Sequence, residues 1–298
     1  MEKRVLGRTG LRVSVLGFGG AEIGYESAAQ GVVDRIVAAA ADNGVNVIDT
    51  AECYGDSEEM LGRALVKRRD KFFLFTKCGH SSGIDAPDWS RSLLEASIDR
   101  SLTRLRTDHL DLVQLHSCSA ALLEKGEVVR VLQDAQRAGK TRFIGYSGDG
   151  SDALAAVNLG VFHTLQTSIN LADQEPLELT LPEAVKRNMG IIAKRPLANA
   201  AWKYSERPSN SYYHVYWQRL RQLEYPILTG DVATGLNAAL RFTLAVPGVS
   251  VAITGTKSEE RWRENVKALA APPLAAEDFE AIRTRWHERS GPDWVGQV

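Results

Sequence analysis

The feature that most restricts what this chain can fold into is an alternation. Short β-branched or apolar runs recur at residues 13–18, 45–49, 72–77, 110–116, 142–147, 164–170, 190–194 and 249–254. Between them lie segments of helical period. Residues 90–105 place Leu94, Ile98, Leu102 and Leu105 at three- and four-residue intervals, one face of a helix. Asp56 with Glu59, ahead of Leu61 and Leu65, reads as a capping box with Asp as the cap. Strands that alternate with helices form a parallel sheet covered by helices. Eight such units in 298 residues predict an α/β fold, a (β/α)8 TIM barrel. A doubly wound open sheet is the runner-up, because it alternates in the same way. Polar residues at the C-terminal ends of several strands favour the barrel, whose active sites lie at that face.

Ahead of the first run, residues 3–6 and 11–15 flank Gly7-Arg8-Thr9-Gly10, the pattern of an N-terminal β-hairpin. The longest irregular stretches, 79–89, 117–126 and 203–211, are predicted as loops at the active face. A helical segment, 212–224, follows the last of them, and a final helix over 279–286 is expected on the outside. No linker, low-complexity tract or short repeat interrupts the pattern, so residues 1–298 are expected to form one domain.

Charge excludes some functions. Lys and Arg total 36 against 37 Asp and Glu, a net charge of −1, which gives no long-range attraction for nucleic acid or anionic lipid. The three cysteines, Cys53, Cys78 and Cys118, form no CxxC pair, so neither a disulfide framework nor a metal site is expected. They adjoin the polar strand ends and read as small, semi-apolar residues there. No run approaches the ~20 apolar residues of a membrane helix, and the first residues lack a signal-peptide pattern. A cytoplasmic protein is the expectation.

The strand ends carry the chemistry. Val47-Ile48-Asp49 ends in a carboxylate, with Tyr54 close behind; Phe75-Thr76-Lys77 ends in an amine; Val113-Gln114-Leu115-His116 ends in an imidazole. Neighbouring barrel strands bring these tips together. A phenol titrates near 10, and a nearby ammonium favours phenolate, so Lys77 is expected to lower the Tyr54 pKa. Asp49 holds Lys77 charged and aimed. Tyr54 is then the proton donor to a carbonyl oxygen that receives hydride at its carbon, and a neutral His116 orients that oxygen.

Asp49-Thr50-Ala51-Glu52-Cys53-Tyr54-Gly55, Phe75-Thr76-Lys77 and Gln114-Leu115-His116 resemble the tetrad segments of the aldo-keto reductases. Leu6-Gly7-Arg8-Thr9-Gly10-Leu11 and Leu16-Gly17-Phe18-Gly19 resemble that family's N-terminus. The resemblance runs from the hairpin to the last barrel helix. It implies the (β/α)8 barrel, Asp49, Tyr54, Lys77 and His116 as catalytic residues, and a nicotinamide cofactor as hydride source. Gly19 then lies beneath the nicotinamide end, and Ser147 and Gln166 hold its carboxamide, with Asn170 ending the same strand. Lys194, Arg195 and Leu197 begin the loop over the pyrophosphate. Ile253-Thr254-Gly255-Thr256-Lys257-Ser258-Glu259-Glu260-Arg261 resembles the family's adenosine-phosphate clamp, at a helix start suited to anions. Gly255, Thr256 and Lys257 line it, Arg261 meets the 2′-phosphate or adenine, and Glu264 and Asn265 meet adenine.

Three positions depart from the family pattern: Gly148 replaces a common Asn, Lys194 a common aromatic residue, and Gly255 a common Lys. NADP is the expected cofactor, with NAD the alternative. Trp89, Trp202, Tyr212, Tyr213 and Trp217 are candidate walls for a small carbonyl or alcohol substrate, or ordinary packing residues. Two other functional classes remain open: a cofactor-binding accessory subunit on the same scaffold, and a barrel hydrolase or lyase using Asp49 and His116.

Overall fold

The computed structural model describes residues 1–270 and 272–297. Two short strands, β1 (Lys3–Val5) and β2 (Arg12–Ser14), pair antiparallel around a 3-10 turn at Gly7–Thr9. Eight further strands close a parallel barrel: β3 (Leu16–Gly19), β4 (Val47–Asp49), β5 (Phe73–Cys78), β6 (Leu110–His116), β7 (Thr141–Ser147), β8 (Thr164–Ser168), β9 (Gly190–Lys194) and β10 (Val249–Gly255). β10 pairs with both β3 and β9, and this closure rules out the open sheet.

The expected run at 13–18 is two strands, because the chain turns from the hairpin into the barrel between Ser14 and Leu16. The run at 164–170 stops at Ser168; Asn170 instead bridges to Asp173 in a turn. The expected loop at 117–126 contains a helix, Ala120–Lys125, too short to betray itself by periodicity. The helix expected at 90–105 runs Arg91–Leu105, capped by Ser90 Oγ, which accepts from the Leu93 amide at 3.2 Å. Asp56 precedes the helix Ser57–Leu65 but makes no side-chain cap. Its ψ of 8° is not the extended conformation that turns a capping side chain back on the helix.

Side chains alternate across a strand, so every second residue of β4–β10 faces the lumen. At the bottom the inward residues are apolar: Val47, Phe75, Leu112, Ile192 and Val251 form one cluster with Leu6, Leu11 and Val13 of the hairpin. The hairpin is therefore the barrel's floor. Gly7 makes its close approach possible, with a φ of +47° and a Cβ position only 2.3 Å from the Gly190 amide nitrogen. Two residues up, Val47, Phe75 and Leu112 give way to Asp49, Lys77 and Gln114, with His116 above Gln114 and Gln166 on β8 joining them. One period-two register thus produces both a dry floor and a polar mouth. Outward residues such as Ile48, Leu74, Val113 and Ile144 pack beneath the helices.

Candidate active site

Asp49 is the hub of the mouth. Its Oδ2 accepts from Lys77 Nζ at 2.6 Å, and its Oδ1 accepts from Gln166 Nε2 at 2.9 Å and Gln114 Nε2 at 3.3 Å. β4, β6 and β8 are alternate strands, so these contacts form one of the layers in which barrel interiors are filled. Lys77 Nζ also donates to the Thr50 carbonyl at 2.8 Å and stands 5.0 Å from the Tyr54 ring centroid. Lys77 is 2% exposed and Asp49 4%, so neither charge is solvated and each requires the other.

Tyr54 rides on the loop after β4, and two features aim it. Glu52 is buried and tied outward by Arg100 and Arg104 of the helix Arg91–Leu105. Gly24 lies so close to the Tyr54 carbonyl that a Cβ there would stand 1.9 Å from its oxygen. Tyr54 is half-buried, and its ring meets that of His116 edge-on at 5.6 Å.

Burial sets the protonation states. It pushes the Tyr54 phenol above its ordinary 10.0, against the downward pull of Lys77. This corrects the expected lowering: the ammonium acts as foreseen, but loss of water outweighs it. Burial also works against the Lys77 ammonium, yet Asp49 and then Tyr54 overcome it, and the pKa ends above 10.5. His116 is driven well below 6.5, first by burial and then by Lys77, His80 and Lys194. At neutral pH the mouth therefore holds a protonated phenol, an ammonium and a neutral imidazole.

Further along the mouth, Ser147 Oγ donates to Gln166 Oε1 at 2.9 Å, and both residues are buried. Gly148 has no room for the common Asn: a Cβ would lie 2.8 Å from the Tyr146 hydroxyl. Asn170 is fully buried and shapes its own turn, accepting from the Ala172 and Asp173 amides at 2.8 and 2.9 Å. Lys194, expected at the start of the loop over the pyrophosphate, is engaged within the fold. Its Nζ lies 2.8 Å from Asp149 Oδ2 and donates to the Gln297 carbonyl at 3.1 Å, because a buried ammonium needs a counter-ion. Arg195 sits at a φ of +53° with its guanidinium 5.5 Å from the Tyr212 ring, and Leu197 packs on the core beyond it.

The helix Glu259–Ala268 begins where expected, with Ser258 Oγ accepting from the Arg261 amide at 3.3 Å. Gly19 and Gly255 are paired at the tips of β3 and β10. Thr256 Oγ1 accepts from the Ser258 amide at 3.0 Å. Fully buried Trp262 wedges against Phe18 at 5.5 Å and fixes the helix to β3. On its other faces Asn265 is buried, whereas Arg261 and Glu264 are exposed. Lys257 Nζ pairs with Glu26 Oε2 at 2.7 Å, both half-exposed.

The candidate walls divide. Trp89 packs on His80 at 5.4 Å, Trp217 Nε1 donates to the Tyr204 carbonyl at 3.0 Å, and Trp202 lies against Gly235. Tyr213 meets the rings of Tyr204 and Tyr212 at 5.2 and 5.6 Å. Sequence reasoning passed over Gln114 as a partner of Asp49, and Glu22 and Glu26 beside the clamp. Burial raises the Glu22 carboxyl to about 7, with Glu26 adding to the rise. Gln114 was legible, two residues before His116 on the same inward row; the two glutamates lie far from the clamp in sequence and gave no signal.

Comparison with known proteins agrees with this geometry. The model of the aldo/keto reductase family matches residues 15–286. An uncharacterized oxidoreductase of Bacillus subtilis is 28% identical, over 95% of this chain and 96% of its own. L-galactose dehydrogenase of Arabidopsis thaliana is 30% identical, over 95% and 92% respectively. The holo form of an aldo-keto reductase from Bacillus halodurans superposes with a TM-score of 0.82 at 26% identity, over 96% of each chain. Among the described residues no helix is long and apolar enough to cross a membrane.

Proposed function

This chain belongs to the aldo/keto reductase family and is an oxidoreductase that uses a nicotinamide cofactor; from that premise we propose that it reduces a small aldehyde, ketone or sugar carbonyl with NADPH, Tyr54 delivering the proton. The observation that carries this reading is the buried Asp49–Lys77 pair, with Lys77 Nζ 5.0 Å from the Tyr54 ring and His116 packed on the same ring. The relatives are oxidoreductases and a dehydrogenase, which favours turnover over an accessory role. L-galactose dehydrogenase among them makes sugars the first substrates to try. We further propose one domain over residues 1–298 and a cytoplasmic location.

The residues fit the cofactor. The capped helix start at Ser258 and exposed Arg261 suit the adenosine 2′-phosphate, with Asn265 and Glu264 for adenine. The Lys257–Glu26 pair is worth little at such exposure, so Lys257 is free to exchange to a phosphate. The Ser147–Gln166 pair and Gly19 suit the nicotinamide end, and Gly255 and Thr256, past the tip of β10, suit backbone contacts to the adenosine phosphates. When bound, the nicotinamide supplies hydride to the substrate's carbonyl carbon. Everything else falls to the chain. His116, neutral, donates a hydrogen bond that orients the carbonyl oxygen. Tyr54, kept protonated by burial, gives that oxygen its proton. Lys77 then stabilises the phenolate, and Asp49 with Gln114 and Gln166 keeps Lys77 in place.

Tryptophan-fluorescence titration tests the cofactor reading. NADPH is expected to bind at least tenfold more tightly than NADH, roughly the strength of one charge-assisted hydrogen bond. Arg261→Ala should remove most of that preference and leave NADH binding unchanged. Equal binding of both by the parent protein would overturn the phosphate clamp, and binding of neither would overturn the nicotinamide reading.

The pH profile follows from the two shifted groups. Loss on the acid side needs His116 protonated, and its pKa lies well below 6.5. Loss on the basic side of reduction needs Tyr54 ionised, and its pKa lies above 10.0. Reductive kcat/KM is therefore expected to stay flat between these values. An acid limb centred at 6.5 or higher would contradict the burial of His116.

A further inference from the structure

Cys53 links two rings of the candidate site. It precedes Tyr54 in the loop after β4, and its Sγ lies 3.5 Å from His116 Nδ1, within reach of a sulfur hydrogen bond. Such a contact is either thiolate with imidazolium or thiol with neutral imidazole. Burial holds the thiol above its ordinary 9.0 despite Lys77, and holds His116 well below 6.5, so the neutral pair is the one present. Neutral imidazole has one donor and one acceptor nitrogen. Which atom of the pair donates follows from the role proposed for His116. A neutral His116 that donates from Nε2 must accept at Nδ1, which makes the Cys53 S–H the donor across the 3.5 Å contact. The Tyr25 ring packs on Tyr54 at 5.4 Å. Tyr54 and His80 flank the imidazole edge-on at 5.6 and 5.4 Å. They confine the ring's plane, and the bond at Nδ1 selects which way round it sits.

We propose that Cys53 is a positioning residue: its S–H donates to His116 Nδ1 and fixes the imidazole as the Nε2–H tautomer, the form that offers a hydrogen to the substrate's carbonyl oxygen. This rests on the reading of His116 as the group that orients that oxygen. The neighbouring residues have other duties: Glu52 is tied outward, and Tyr54 faces the mouth. No residue but Cys53 lies between them.

The test is a long-range proton–nitrogen NMR spectrum of the full-length protein labelled at its histidines, with the His116 signals assigned by their loss in His116→Gln. The parent protein should show Nδ1 unprotonated and Nε2 protonated. Cys53→Ala should shift the Nδ1 signal and mix the tautomers; Cys53→Ser, which keeps a donor, should preserve the parental pattern. In steady-state reduction Cys53→Ala should lower kcat about two- to tenfold, the scale of one hydrogen bond, with KM little changed. Cys53→Ser should recover most of the loss. A parental His116 protonated at Nδ1 overturns the proposal, and that arm needs no variant. So does Cys53→Ala with unmoved signals, or with moved signals and parental kcat. Parental turnover in Tyr54→Phe would instead overturn the assignment of Tyr54 as proton donor and leave the tautomer result standing.

Discussion

Tyr54→Phe is expected to lower carbonyl reduction by about 10²–10⁴-fold, the usual contribution of a positioned acid, while leaving dinucleotide affinity and thermal stability near those of the parent. The reasoning is atomic. The substitution removes one hydroxyl and keeps the ring that packs against His116 at 5.6 Å and Tyr25 at 5.4 Å. The loop's other anchors, Glu52 with Arg100 and Arg104 and the close contact at Gly24, do not involve that hydroxyl. What is lost is the proton held ready at neutral pH. Single-turnover reduction with saturating NADPH isolates this step. A rate within threefold of the parent would mean that another group supplies the proton.

The second large effect is on stability. Lys77→Met leaves the Asp49 carboxylate in the lumen with only the Gln114 and Gln166 amides. Breaking a buried pair from one side costs about 3–5 kcal/mol, because an uncompensated charge remains. Asp49→Asn should cost a similar amount by stranding the ammonium. The double variant removes both charges and is expected to be more stable than either single variant, though inactive. Urea unfolding of all four proteins measures this as a double-mutant cycle. Single-variant losses under about 1 kcal/mol, or a double loss equal to their sum, would show that the two charges are not coupled in the fold.

Much of the fold is a local property and was legible. Residues 110–116 and 190–194 read as strands, and they are β6 and β9 without change. The hairpin announced itself by its turn. That Asp49, Lys77 and His116 meet at one mouth was legible because inward positions alternate and each strand ends in a residue of distinct chemistry. Ser258 could be placed as a helix start from its cap and the charges that follow. Boundaries failed where local signals conflict with geometry. Residues 13–18 are continuous in hydrophobicity, yet the chain must turn there to leave the barrel floor.

The amino-acid order by itself determined the alternation, the strand sequence and the row on which each polar residue stands, because these depend on neighbours one to four positions away. Barrel closure decided who meets whom. Gln166 reaches Asp49 from 117 residues away, Lys194 finds Asp149 and the Gln297 carbonyl, and Cys53 meets His116. It also decided the sign of the Tyr54 shift. The sequence shows a lysine near a tyrosine, but burial depends on all the packing around them, and in the folded mouth the loss of water outweighs the attraction of the nearby charge.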